Sequence, residues 1–169
     1  MKKMILILVT LVLSQSIFAL IPNQQTISPD IIRGGRPSKS DLDQLRSSGY
    51  KTIINFENIA QVVSVEKAYA EKLGFKFISQ SMDPWAMPTD AQINEILNVM
   101  SDPKNFPIFI HCQHGRDRTG LVSAIYRVLN QKWTPQAAHD EMLVLGFRKI
   151  FTNMDKYFWN KTKKTAVVK

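Results

Sequence analysis

The sequence predicts an α/β fold: a single domain with a largely parallel central sheet flanked by helices. Three observations carry this. Short β-rich runs at residues 31–33, 51–56, 75–79 and 107–111 alternate with helical patterns at 39–48, 60–73 and 89–100, the order that builds a parallel sheet. Pro107-Ile108-Phe109-Ile110-His111 is almost wholly apolar, as a strand buried on both faces must be. The chain has 169 residues, enough for one domain with a proper core and too few for two.

Each element follows from local chemistry. Residues 20–30, with Pro22 and Pro29, read as an extended lead-in. Ile31-Ile32-Arg33 is a short strand stopped by Gly34, Gly35 and Pro37. Ser38 caps a helix over 39–48, and Gly49 closes it. Lys51 to Phe56 is β-rich. Val62, Val65, Tyr69 and Leu73 keep helical spacing over 60–73 until Gly74, and Phe75 to Ser79 alternates like a strand. Two prolines keep Met82 to Pro88 irregular. Thr89 with Gln92 forms a capping-box pattern for a helix to about Met100. After the strand at 107–111, Thr119 to Asn130 is helical. Thr134 with Pro135 starts another helix, ended by Gly146, and a last helix covers 151–160.

The first nineteen residues differ in kind. Lys2 and Lys3 precede an apolar run from Met4 to Leu13, and Ala19 offers a small residue for cleavage, the pattern of a secretory signal peptide. The run is short of the roughly 20 residues that span a bilayer, so no stable membrane insertion is expected after cleavage. The chain thus divides into a signal peptide (1–19), a domain (20–163) and a basic tail (164–169), and the protein is expected to be exported, periplasmic or secreted. Removing the leader lowers the formal charge from +8 to +6, which favours acidic partners. Interleaved aromatic and basic motifs are lacking, so nucleic acid is not among those partners. Cys112 is the only cysteine, which excludes an internal disulfide and calls for deep burial or use as a nucleophile.

The informative stretch is His111-Cys112-Gln113-His114-Gly115-Arg116-Asp117-Arg118-Thr119-Gly120, between an apolar strand and a helix. Such a loop can curl until successive backbone N–H groups point inward as an anion nest, with Gly115 allowing the tight path. The helix that follows aims its N-terminus at the same spot. Arg118, six residues after Cys112, can grip two oxygens of a phosphate as a fork, and the positive bowl favours a Cys112 thiolate. Thr119 can donate its hydroxyl to that sulfur, and His111 can orient the loop through backbone hydrogen bonds. Metal ligation by His111, Cys112 and His114 fits poorly, because the three crowd into four residues without a second cysteine.

These residues resemble the protein tyrosine phosphatase superfamily, whose loop reads His-Cys-x5-Arg-Ser/Thr-Gly, and in particular its small dual-specificity and phytase-like members. Ile32 to Pro37, the helix after it and Lys51 to Phe56 look like the usual opening of those members, so the resemblance runs from about residue 30 to 150. It implies a phosphomonoester hydrolase in which Cys112 attacks phosphorus and Arg118 binds the phosphate, with no metal or organic cofactor. It also implies an aspartate general acid on a separate loop rich in Trp and Pro. Asp83, in Asp83-Pro84-Trp85-Ala86-Met87-Pro88, resembles that acid, although Trp85 and Pro88 are spaced differently from the phytase-like pattern. Asp117 competes for the role, since Asp-Arg-Thr is similar to the loops of myotubularin-like and Sac-type phosphatases. Otherwise Asp117 forms a salt bridge to Arg116 or another nearby cation.

Gln113, His114, Gly115, Arg116, Asp117 and Thr119 are expected to line the phosphate and substrate site. His114 and Arg116 add positive charge there, and Arg36, Arg148 and Lys149 are candidates to join them. A basic mouth suits inositol polyphosphates, as the phytase-like resemblance implies. The alternatives are a phosphotyrosine or dual-specificity protein phosphatase and a non-catalytic phosphate-binding secreted module. A monomer is expected.

Overall fold

In the computed structural model, residues 21–166 are described, with side-chain surroundings as far as residue 163. The expected signal peptide over 1–19 lies outside the described residues, as does the end of the basic tail.

The elements run β1 (Gln25–Ser28), β2 (Ile31–Gly34), α1 (Lys39–Ser47), β3 (Thr52–Asn55), α2 (Ala60–Lys72), β4 (Lys76–Ser79), α3 (Asp90–Ser101), β5 (Ile108–His111), α4 (Asp117–Leu129), α5 (Pro135–Val144) and α6 (Thr152–Ala166). The sheet order is β1-β2-β5-β3-β4. β2, β5, β3 and β4 are parallel, and β1 joins β2 antiparallel at the edge. The α/β expectation therefore holds, with β5 at the centre.

Side-chain alternation in these strands builds two cores. Ile31, Ile54, Ile108 and Ile110 point to the side covered by α3 to α6. Ile32, Ile53 and Phe109 point to the other side, against Leu42 and Leu45 of α1 and Ala70 of α2. A strand buried on both faces loses the polar half of the usual alternation, so the 107–111 run reads as unbroken hydrophobicity. Helix α4 is buried along most of its length, enclosed by the sheet, α5 and α6.

Register positions the site. Gly34, His111 and Asn55 lie level across β2, β5 and β3. The segments that follow these three strands therefore leave the sheet side by side at its C-terminal edge, where ligands bind in parallel α/β sheets.

Four details differ from the sequence reading. Strand β1 falls in the supposed lead-in; Gln25-Thr26-Ile27-Ser28 buries only Ile27 deeply, too little to show as a strand pattern. At α3, Thr89 accepts from the Gln92 N–H, but the Gln92 side chain donates to the Ser81 carbonyl instead of returning to the cap. The complete capping box is at α1, between Ser38 and Asp41. Helix α4 begins at Asp117 instead of Thr119, and α6 continues to Ala166, past the expected start of the tail.

Candidate active site

Cys112 follows β5 directly and is 2% exposed. The loop then turns at Gly115, whose φ of 70° suits glycine. A Cβ there would lie 2.4 Å from the Gly34 carbonyl carbon and 2.5 Å from the Gly35 nitrogen. The loop thus rests backbone to backbone on the Gly34-Gly35 turn after β2, which explains that glycine pair in the opening segment.

Donors outside the loop hold its carbonyls. Arg36 N–H donates to the Gln113 carbonyl at 3.2 Å, Asn23 Nδ2 to that of His114 at 2.8 Å, and Arg33 Nη2 to that of Gly115 at 2.6 Å. The N–H groups of residues 113–116 have no protein acceptor among the described residues. Carbonyls tied outward and N–H groups left over are what an anion nest at a helix N-terminus requires.

Arg118 is buried in the first turn of α4. Its Nη1 donates to the Phe56 carbonyl at 3.2 Å, Asn58 Oδ1 at 3.1 Å and the Met82 carbonyl at 3.4 Å. The segments after β3 and β4 therefore fix one end of the guanidinium.

Beneath the loop lies a buried polar network. His111 Nε2 meets Glu66 Oε1 at 2.7 Å, and its ring stacks on Phe109. Glu66 Oε2 accepts from Asn55 Nδ2 at 3.0 Å, and Asn55 Oδ1 accepts from the Glu57 N–H at 2.6 Å. Glu57 in turn takes both donors of the Arg36 fork. Glu57, Glu66 and His111 could in principle ligate a cation, since their donor atoms lie within 4.8 Å of one another. All three are already engaged by Arg36, Asn55 and each other, so this cluster reads as an ion-pair network. His114 is exposed, whereas His111 and Cys112 are buried.

Two expectations about neighbours of the cysteine are corrected. The Thr119 hydroxyl is buried and makes no hydrogen bond among the described residues, to Cys112 Sγ or otherwise. The His111 ring bonds Glu66 instead of the loop, and Nδ1 has no partner. The backbone carbonyl of His111 accepts from the Phe56 N–H.

Burial lowers the pKa of Arg33 to about 10, partly offset by attraction to Cys112. Arg36 and Arg148 move the other way, chiefly because Glu57 and Asp117 accept their hydrogen bonds. Cys112 adds a smaller pull on both.

The two candidate acids separate clearly. Asp83 is exposed, and its Oδ1 accepts from the Trp85 N–H at 2.9 Å in a local turn. It follows Met82, whose carbonyl touches Arg118, so Asp83 stands at the rim of the site. Asp117 is buried and fully occupied: Oδ1 takes the Arg148 N–H at 2.9 Å, and Oδ2 takes Nη2 at 2.8 Å. Its salt bridge goes to Arg148, not to Arg116. Arg36 and Arg148 are therefore paired and do not serve as free cations at the mouth, which corrects that expectation. Gln113, His114, Arg116 and Lys149 are exposed. The Arg116 chain lies against Gly146 and lines a hollow with Asn23, Gln25, Val144 and Leu145.

Arg33, Asn55, Glu57, Asn58 and Glu66 were missed as parts of the site. One signal was available: Arg33 sits in an otherwise apolar strand, where a charge needs a buried partner.

A cysteine after the central strand, an arginine six residues on and the turn between them define the protein tyrosine phosphatase superfamily. Within it, the chain belongs to the family described as DSP-PTPase phosphatase fused to NAD+ kinase, which it matches over residues 14–158. It is similar to the dual specificity protein phosphatase TpbA of Pseudomonas aeruginosa, 28% identical over 132 residues, covering 74% of this chain and 55% of that protein. It is also similar to the inositol diphosphatase DSP4 of Arabidopsis thaliana, 31% identical over 128 residues, covering 73% of this chain and 61% of the relative. The chain thus spans a little over half the length of these relatives. The crystal structure of P. aeruginosa TpbA superposes with a TM-score of 0.70 at 25% identity, covering 82% of this chain and 84% of that one. The catalytic core of the S. cerevisiae PP-IP phosphatase SIW14 shares the fold, with a TM-score of 0.69 at 23% identity, covering 87% of this chain and 93% of that one.

Proposed function

We propose that the protein is an exported phosphomonoester hydrolase working through a phospho-cysteine, with inositol polyphosphates as its substrates. The observation that carries this reading is the tethered loop: Cys112 and Arg118 flank backbone N–H groups whose companion carbonyls are all held outward.

In the reaction, Cys112 Sγ attacks phosphorus as a thiolate and the ester P–O bond breaks. Loop N–H groups and Arg118 stabilise the charge spread over the equatorial oxygens. Asp83 gives its proton to the departing oxygen. Water then attacks phosphorus while Asp83 takes its proton, the S–P bond breaks, and phosphate and the Cys112 thiolate are released. Arg33, Arg36 and the network around Glu66 hold the loop in place.

The inositol reading rests on exposed His114 and Arg116 beside the cradle and on the likeness to the inositol diphosphatase. Phosphotyrosine protein is the second reading. It is favoured by the likeness to TpbA and by the pairing of Arg36 and Arg148, which thins the free positive charge at the mouth. Export rests on the leader pattern of residues 1–19.

Hydrolysis of a generic aryl phosphate by wild type and Cys112→Ser tests the enzyme reading; equal inactivity would leave a phosphate-binding module. Turnover of inositol hexakisphosphate, an inositol pyrophosphate and a phosphotyrosine peptide under one condition decides the substrate. A dominant rate on the peptide sinks the inositol reading. Mass spectrometry of the full-length protein recovered from fractionated cells tests export: a mature form lacking residues 1–19 supports it.

A further inference from the structure

The loop carrying Asp83 is tied to the phosphate loop through a continuous set of contacts. Asp117, in the first turn of α4, receives the backbone N–H and the guanidinium of Arg148. That guanidinium lies over the Phe151 ring, 4.7 Å from its centroid. The Phe151 ring meets Trp85 edge to face, with centroids 4.8 Å apart. The Trp85 carbonyl accepts from Asn153 Nδ2 at 2.8 Å, and its N–H donates to Asp83 Oδ1 at 2.9 Å.

Each contact restricts what it touches. The Arg148–carboxylate pair holds a planar fork in one orientation, and the cation–π stack holds that fork over the ring. Edge-to-face packing fixes the angle of Trp85. Trp85 is 59% exposed, so burial alone does not hold it. Among the described residues the Asp83 carboxylate has one hydrogen bond, from the Trp85 N–H in its local turn.

We infer that Arg148 and Phe151 are positioning residues that transmit the placement of the phosphate loop, through Asp117 and Trp85, to the general acid Asp83. The inference rests on the proposed reaction with Asp83 as its acid. It turns Asp117 from a rival acid into the anchor of the true one.

The signature is dependence on the leaving group. An ester with an electron-poor aryl group departs without a proton, whereas an alkyl ester needs the acid. Arg148→Met and Phe151→Leu are assayed on both. The expected result is a loss of kcat/KM, which reports the steps up to departure of the leaving group, of about tenfold or more on the alkyl phosphate and less than about threefold on the electron-poor aryl phosphate, because misplacing an acid forfeits part of its roughly 100-fold contribution. Phe151→Tyr keeps the ring and restores the wild-type ratio. Arg148 is exposed and its backbone N–H, which the substitution keeps, still donates to the buried Asp117 carboxylate, so its variant is the one read where a Phe151 variant does not fold. Equal losses on the two esters, or no loss on either, overturn the inference and leave the contacts purely structural. An inactive wild type instead overturns the proposed reaction, and alkyl turnover unaffected by Asp83→Asn overturns the choice of acid.

Discussion

Arg33 on β2 and Gly115 in the phosphate loop are joined by a 2.6 Å hydrogen bond, given by a guanidinium that is 2% exposed. A charge this deep is kept because its far end serves the loop: the same nitrogen also reaches toward the Arg116 carbonyl, and Cys112 lies close enough to attract it. Removing it leaves the Gly115 carbonyl buried without a donor. Arg33→Met should therefore cost about 2–3 kcal/mol, the range for losing a charged hydrogen bond to a buried acceptor, read from urea unfolding. It should also lower kcat on every phosphate ester alike, since the cradle itself is loosened.

Gly115→Ala tests the contact on the other side of the loop. The new Cβ would stand 2.4 Å from Gly34 backbone, at a residue with positive φ. Overpacking and backbone strain together should cost about 2–4 kcal/mol, seen as a drop in Tm of about 5–15 °C. A shift under a few degrees would mean that the turn after β2 yields easily.

Asp83→Asn should reduce kcat/KM for alkyl phosphates by about 100-fold or more, the scale of a lost general acid, and spare kcat/KM for electron-poor aryl phosphates. Asp117→Asn should reduce alkyl turnover less, because it weakens the Arg148 clamp without removing the proton donor. Steady-state kinetics on matched esters reads both; a larger loss at Asp117 would reverse the assignment.

His114→Ala with Arg116→Ala should raise KM for inositol hexakisphosphate by about tenfold, an ion-pair-sized energy for the Arg116 cation together with a hydrogen bond for the His114 ring, while leaving that for a singly phosphorylated peptide within about twofold. Both residues are exposed, so folding should be unaffected.

Alkaline stability should depend on Tyr157. Its hydroxyl donates to Asp90 at 2.7 Å, and burial together with that carboxylate raises its pKa above the ordinary value near 10. A group whose folded pKa is raised contributes stability that is complete below the unfolded pKa and lost as pH rises above it. Unfolding midpoints should therefore fall as pH climbs beyond about 10, and Tyr157→Phe should flatten the decline. Arg33, whose pKa is lowered to about 10, acts in the opposite sense over the same window, so the difference between Tyr157→Phe and wild type is the diagnostic quantity.

Much of this protein was legible from short-range pattern. The apolar run ending in His111, the spacing from Cys112 to Arg118 and the glycine between them specified a strand, a turn and a helix start within ten residues. Local rules govern each: pleat alternation, a positive φ and helix capping. The order of strands and helices then implied the parallel sheet, and the prolines around Asp83 marked its segment as an irregular loop. The weak strand β1 escaped, because an edge strand with one well-buried residue carries no periodic signal.

Which charge meets which was settled only by the packed chain. Asp117 and Arg148 are 31 residues apart, and Arg33 and Gly115 are 82 apart. No periodicity links such positions; they meet because β2, β5 and β3 end level and α4 and α6 pack side by side. Sequence thus placed Cys112 at the end of the central strand and Arg118 at the start of the following helix. Folding assigned Arg33 to a carbonyl and Arg36 and Arg148 to carboxylates, pairing Asp117 in the same step, because a buried charge needs a partner.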